Sequence, residues 1–135
     1  MARLHVVAIA ARLPAWAETA CADYARRMPK GYEVERIALK DESRLRGAVP
    51  KGARRVALDE RGREYTTAQF ARLLDAPSAF VIGGADGLTD ATRREADLML
   101  RLSAMTLPHA LTQLVLLEQL YRAATLLTGH PYHRA

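Results

Sequence analysis

The chain has a single cysteine, Cys21, in 135 residues, so no disulfide can form within it. That excludes the small stapled folds and fits a reducing compartment. No apolar stretch nears the roughly 18 residues that a membrane-spanning helix requires, so no membrane association is expected. The N-terminal run MARLHVVAIAARLP places Arg3 ahead of an apolar stretch, as a signal peptide does, but the stretch is short and holds His5. It reads better as a buried first strand, and the expected location is cytoplasmic. Repeats, low-complexity segments and linkers are also lacking, so residues 1–135 are read as one domain. There is no Gly-Lys-Ser/Thr after a glycine loop and no G-x-G-x-x-G, which removes the P-loop and dinucleotide fingerprints. A nucleophile elbow and a Ser/His/Asp set are missing too, so a hydrolase has little support.

What is present is an ordinary globular composition, with half of the residues hydrophobic and 26% charged. A chain of this size buries enough apolar surface to fold without cross-links. The formal charge is +5, spread along the chain rather than packed into a tail. Such an excess favours polyanions such as RNA through counterion release, but a soluble basic protein without a nucleic-acid partner has the same charge.

Residues 4–10 (LHVVAIA) form a β-prone run that Pro14 ends, and 15–28 read as a helix with Trp16, Ala20, Tyr24 and Arg27 along one side, stopped by Pro29 and Gly31. The mixed alternation of 32–39 predicts an edge strand. Residues 40–52 read as a charged loop with one helical turn, and 54–59 as a third strand. Thr66 or Thr67 can cap a helix over 68–75. AFVIGG (79–84) is a fourth strand, Thr89 or Asp90 caps a helix to about residue 100, and 101–108 give a short strand and loop. A last helix covers about 110–128 and ends at Gly129. Strands alternating with helices predict an α/β fold, a mostly parallel sheet with helices on both faces. Ligands bind such sheets at the carboxyl ends of the strands. The loops there are Asp59 to Gly62, Gly83 to Gly87, and Ala104 to His109.

The glycines of Val81-Ile82-Gly83-Gly84-Ala85-Asp86-Gly87-Leu88 let the chain turn sharply and let a ligand approach without a Cβ in the way. By itself a strand-to-helix glycine turn is equally a structural device. Ser103 to His109 offers free backbone groups that can hold an adenine, with Pro108 stiffening its exit; alone it is also a buried strand before a helix. The tail His130-Pro131-Tyr132-His133-Arg134-Ala135 has two histidines three apart, but no cysteine or acidic ligand nearby, so no metal is expected. A ring that stacks, a guanidinium and an imidazole suit RNA better, unless the end is simply frayed. Glu118 and Arg122 are spaced to pair on the last helix. Arg93 and Arg94, near a helix start, serve RNA or are solvated. Leu111, Leu114, Val115, Leu117, Leu120, Ala124 and Leu127 cover more than one stripe of the last helix, which then needs a second partner beyond its own sheet: a second subunit, or the monomer's core.

Together, FVIGGADGL at 80–88, LSAMTLPH at 102–109, LLEQLYRA at 116–123 and HPYHR at 130–134 resemble the rRNA pseudouridine methyltransferase family of the α/β-knot (SPOUT) class. LHVVAIAARLPAW and DYARR resemble the start of the same family. The resemblance implies a single α/β-knot domain with a deep trefoil knot, a homodimer, and S-adenosyl-L-methionine as methyl donor. It implies donor contacts at Leu58, Gly83, Leu102, Ser103, Ala104, Met105, Thr106 and Leu107. The implied reaction is methylation of N3 of a pseudouridine in 23S rRNA, on the ribosome. The segment Lys40 to Gly52 is shorter than the helical segment that family members commonly carry there.

On this reading the methyl group passes directly to N3, whose weakly acidic proton must leave. His133 is the expected base, with Tyr132 positioning the base to be methylated and Arg134 holding phosphate or developing anion. His109 is the second choice of base. The tail is expected to complete the partner subunit's site. The alternative is a non-catalytic RNA-binding or ribosome-assembly module of the same fold; action on tRNA is a third.

Overall fold

The computed structural model describes residues 3–10 and 12–134, with only the backbone course for His133 and Arg134. Among these, five strands form one sheet: β1 (Leu4–Ile9), β2 (Val34–Leu39), β3 (Arg54–Glu64), β4 (Ser78–Ile82) and β5 (Leu98–Arg101). Their order is β2-β1-β4-β3-β5 and every pairing is parallel. The helices are α1 (Ala15–Arg26), α2 (Leu45–Ala48), α3 (Thr67–Ala71), α4 (Asp90–Glu95) and α5 (His109–Thr128). None is long and apolar enough to cross a membrane.

Side chains alternate across each strand, so every strand feeds two cores. Val6, Val56, Leu58, Phe80, Ile82 and Leu100 meet Cys21 of α1, Met28 just beyond it, Phe70 of α3, and Leu116, Leu117 and Leu120 of α5. Val7, Ile9, Ala57, Ala79 and Val81 turn the other way, toward Leu45, Val49 and Leu88. Fully buried side chains such as Phe80 and Leu100 each contribute about 1.5–3 kcal/mol of transfer free energy. Helices flank both faces as expected, but unequally, because α2 and α4 have only 4 and 6 residues.

Several expected boundaries move. The strand expected within 101–108 lies at Leu98–Arg101, and the helix expected to run to about residue 100 stops at Glu95. Ala96 is already extended at ψ 142°, and the Asp97 carboxylate accepts the Arg55 amide at 2.7 Å, steering the chain onto the open edge of β3. The third strand runs past residue 59 to Glu64, and the helix over 68–75 tightens to 3₁₀ after Ala71. Ala17, Cys21 and Met28 are the most buried side chains of the α1 region, whereas Trp16 is 57% exposed. Thr66 and Thr89 are the N-caps, the former in a full capping box with Gln69.

The short connector after β2 is tied to the sheet end by one carboxylate. Glu42 accepts from the Thr89 amide at 3.2 Å, from Thr89 Oγ1 at 2.8 Å and from Thr92 Oγ1 at 2.5 Å. Partial burial draws its carboxyl upward, but the hydrogen bonds from Thr92 and Thr89 outweigh that and hold it below the ordinary value. A depressed folded value means stabilisation that is present above the unfolded value of about 4.3 and lost as pH falls through the folded one. Glu42→Gln is therefore expected to destabilise the fold by about 1 kcal/mol at pH 7. In denaturant titrations that gap should narrow as the pH drops below 4.3 or so; a gap independent of pH would contradict the assignment.

Candidate functional site

The three loops at the carboxyl ends of β3, β4 and β5 converge on one cavity of about 680 Å³. From β3 come Leu58 and Asp59 to Arg61, from β4 Ile82 to Leu88, and from β5 Leu100 to Ser103 with Met105 to Pro108. The start of α5 closes it with His109 and Thr112.

Backbone packs on backbone here. A Cβ built on Gly83 would lie 2.7 Å from the Gly87 carbonyl carbon and 2.9 Å from the Leu88 nitrogen. The loop closes on itself through the Gly87 amide, which donates to the Gly84 carbonyl at 2.9 Å, with Gly87 at φ 74°. Below it, β3 pairs with Leu100 at Leu58, loops out for residues 59–62, and rejoins Leu100 at Arg63. Gly62 permits this, since a Cβ there would stand 2.7 Å from the Leu100 nitrogen.

His109 fastens the glycine loop to α5. Its Nδ1 lies 2.9 Å from the Gly83 carbonyl oxygen, an acceptor, so Nδ1 carries the proton and donates. Its Nε2 lies 2.9 Å from Nε2 of Gln113 and accepts from that amide. Both ring nitrogens are thereby engaged in the neutral imidazole, and Gln113, only 3% exposed, is itself held in place. Arg93 is the second fastener: it reaches Asp59 at 3.2 Å, the Leu88 carbonyl at 2.5 Å, and Asp90. It is thus neither a solvated side chain nor one free for RNA.

Of the expected donor contacts, Leu58, Gly83, Leu102, Ser103, Met105, Thr106 and Leu107 line the cavity; Ala104 sits in the same loop but outside the walls. Among the described residues the Thr106 and Leu107 amides donate to no protein acceptor, while the Met105 amide is taken by Ser103 Oγ at 2.9 Å. Free main-chain donors beside apolar Leu58 and Leu107 suit the edge and faces of an adenine, so these residues fit a nucleoside-bearing donor.

Tyr132 is not in these walls. Its ring packs edge-on against Tyr121 at 4.6 Å, and its hydroxyl donates to Glu118 at 2.9 Å with Tyr24 Oη 3.2 Å away. Burial, then the hydrogen bonds with Tyr24 and Glu118, push this phenol far above its usual range, so it stays protonated. The backbone of 131–134 forms a 3₁₀ turn; the side chains of His133 and Arg134 lie outside the described residues. Among the described residues no cluster of potential metal ligands occurs.

Sequence reasoning misses the Asp59–Arg93 pair, which is 34 residues apart and has no local signal. His109 and Gln113, four apart on a helix, are a pairing that spacing alone reveals.

Comparison with known proteins places this geometry. Residues 2–133 match the family model described as a predicted SPOUT methyltransferase. A Burkholderia mallei protein named ribosomal RNA large subunit methyltransferase H is 43% identical over 155 aligned positions, covering 98% of this chain and 99% of the relative. That relative has at least 20 residues (155 against 135) with no counterpart here, and the segment between β2 and β3 is the one the sequence marks as short. A protein of Haemophilus influenzae Rd KW20 described as a probable methylase family protein superposes with a TM-score of 0.67 at 12% identity, covering 97% of this chain and 70% of that one. An AdoMet-bound rRNA methyltransferase from Sinorhizobium meliloti gives 0.56 at 16% identity, covering 88% and 56%. At such identities these two structures speak to the fold alone. The match along nearly the whole chain does more: the chain belongs to the SPOUT methyltransferase family.

Proposed function

We propose that the chain transfers a methyl group from S-adenosylmethionine to N3 of a pseudouridine in 23S rRNA of the large ribosomal subunit, in the cytoplasm, with its C-terminal half threaded as the trefoil knot of its class. The observation that carries this reading is the convergence of all three strand-end loops on one cavity, in a chain whose relative, matched end to end, is named for large-subunit rRNA methylation.

When bound, the donor supplies an electrophilic methyl group on a sulfonium. The chain's own part is to hold it and to take a proton from N3. Leu58, Gly83 and the run Leu102 to Leu107 would hold the nucleoside end, Ala104 through the backbone of its loop. With both nitrogens engaged, His109 is a positioning residue for Gly83 rather than a base. His133 is the proposed base, since an imidazole near its ordinary pKa of about 6.5 accepts an imide proton at neutral pH. Tyr132 anchors the tail through Glu118 and Tyr121, and Arg134 is proposed to hold phosphate.

A homodimer belongs to the same proposal. Trp16, Leu111, Leu126 and Leu127 are 57, 37, 38 and 46% exposed, an unusual apolar display for so small a chain. A second copy covering them would also bring its tail to this chain's cavity, which Tyr132 does not line in its own chain.

Calorimetric titration with S-adenosylmethionine should give saturable binding that Gly83→Val abolishes while the protein stays folded; no binding by folded wild type would end the donor reading. Incubation with ribosomes should yield N3-methylpseudouridine in 23S rRNA by mass spectrometry. His133→Ala should lower turnover by about 10²–10⁴-fold with donor affinity unchanged. If the tail works on the partner's cavity, mixing inactive His133→Ala and Gly83→Val chains should recover about a quarter of wild-type activity by random pairing; no recovery would place the tail in its own chain's site. Trp16→Glu should shift the sedimenting species from dimer to monomer and cost activity in parallel.

A further inference from the structure

Beside His109, six ionisable side chains line the cavity: Asp59, Glu60, Arg61, Asp86, Arg93 and Arg101. Three are committed, for Asp59 and Arg93 pair at 3.2 Å and Arg101 pairs with Glu64. Glu60, Arg61 and Asp86 are exposed, and among the described residues none of them makes an ion pair. Their backbones are nevertheless fixed. The Arg61 amide donates to Asp59 Oδ1 at 2.8 Å, Gly62 rests on β5, and Asp86 lies within the bridge between Gly84 and Gly87.

We infer that these three side chains recognise the charged tail of the methyl donor: Glu60 and Asp86 answer its ammonium and sulfonium charges, and Arg61 its carboxylate. The inference rests on the donor reading above. The methionyl part of S-adenosylmethionine carries two positive charges and one negative; the uncommitted wall groups carry two negative charges and one positive. An RNA phosphate in the same place would meet two carboxylates for one guanidinium, an arrangement that repels more than it attracts. S-adenosylhomocysteine, the spent donor, keeps the ammonium and carboxylate but has lost the sulfonium charge. Glu60 and Asp86 therefore favour the fresh donor over the product and assist product release, whereas Arg61 treats the two alike.

Exposed pairs of this kind are each worth a factor of about 1.4–5 in affinity. In calorimetric titrations with S-adenosylmethionine and S-adenosylhomocysteine, the Glu60→Gln/Asp86→Asn double variant should bind the donor about 3- to 10-fold more weakly, with a smaller change for the product. The donor-to-product affinity ratio then shrinks toward one. Arg61→Gln should weaken both ligands by the same factor and leave the ratio as in wild type. Because all three side chains are exposed, melting temperatures should stay near that of wild type. A wild-type ratio in the double variant overturns the inference, as does an Arg61→Gln protein with both affinities unchanged. Wild-type protein that binds neither ligand sinks the donor reading and this inference with it, which separates the two failures.

Discussion

At the carboxyl end of the sheet, main chain rests on main chain with less clearance than one methyl group, at Gly83 over Gly87 and Leu88 and at Gly62 over Leu100. Much of the site follows from these two contacts. Because β3 can loop out and return to the same residue of β5, the two strands remain paired on both sides of the excursion, and Asp59 to Arg61 are delivered to the cavity as a stiff turn. Because the glycine loop folds flat on itself, the Gly83 carbonyl meets His109 and the Leu88 carbonyl meets Arg93. Two fasteners from different helices thus fix one loop, and they do so with groups already held by their own hydrogen bonds.

That arrangement divides labour between backbone and side chains. On the proposed reading, the donor's nucleoside end would face amides and aliphatic side chains whose positions the fold dictates. In the proposed reaction, proton removal would fall to a tail carried on a 3₁₀ turn, tied down by a phenol, a carboxylate and the edge of another ring. Arg27 and Arg122 lie 5.8 and 5.1 Å from the centre of that phenol ring, so cation–π contact adds to the anchorage. A chain too small to build both halves of a bimolecular site from one core can still present each half rigidly, provided that the second copy supplies the other.

Much of the fold is legible in the sequence because it is locally written. The continuous apolar runs give β1 and β4, the mixed pattern marks β2 as an edge, and Pro108 and Gly129 bracket α5. The three strand-end loops follow from the alternation of strands with helices, and they are the ones that line the cavity. What escapes is non-local. The end of α4 at Glu95 depends on Asp97 catching the Arg55 amide, 42 residues away, and the full length of β3 depends on a partner strand that comes 34 or more residues later. The polar fastening of the site escapes for the same reason: Asp59 with Arg93, and Glu42 with Thr89 and Thr92, join segments that only the sheet brings together.

The thin second face of the sheet has a thermodynamic consequence. With only four- and six-residue helices there, little apolar area resists local opening on that side. Yet the same α4 carries Arg93, and through it the loops of the cavity. Any ligand that binds those loops only when they are assembled must suppress the opening of that face by the same free energy. Amide hydrogens of α2, none of whose residues lines the cavity, then exchange more slowly together with those of α4 when the cavity fills.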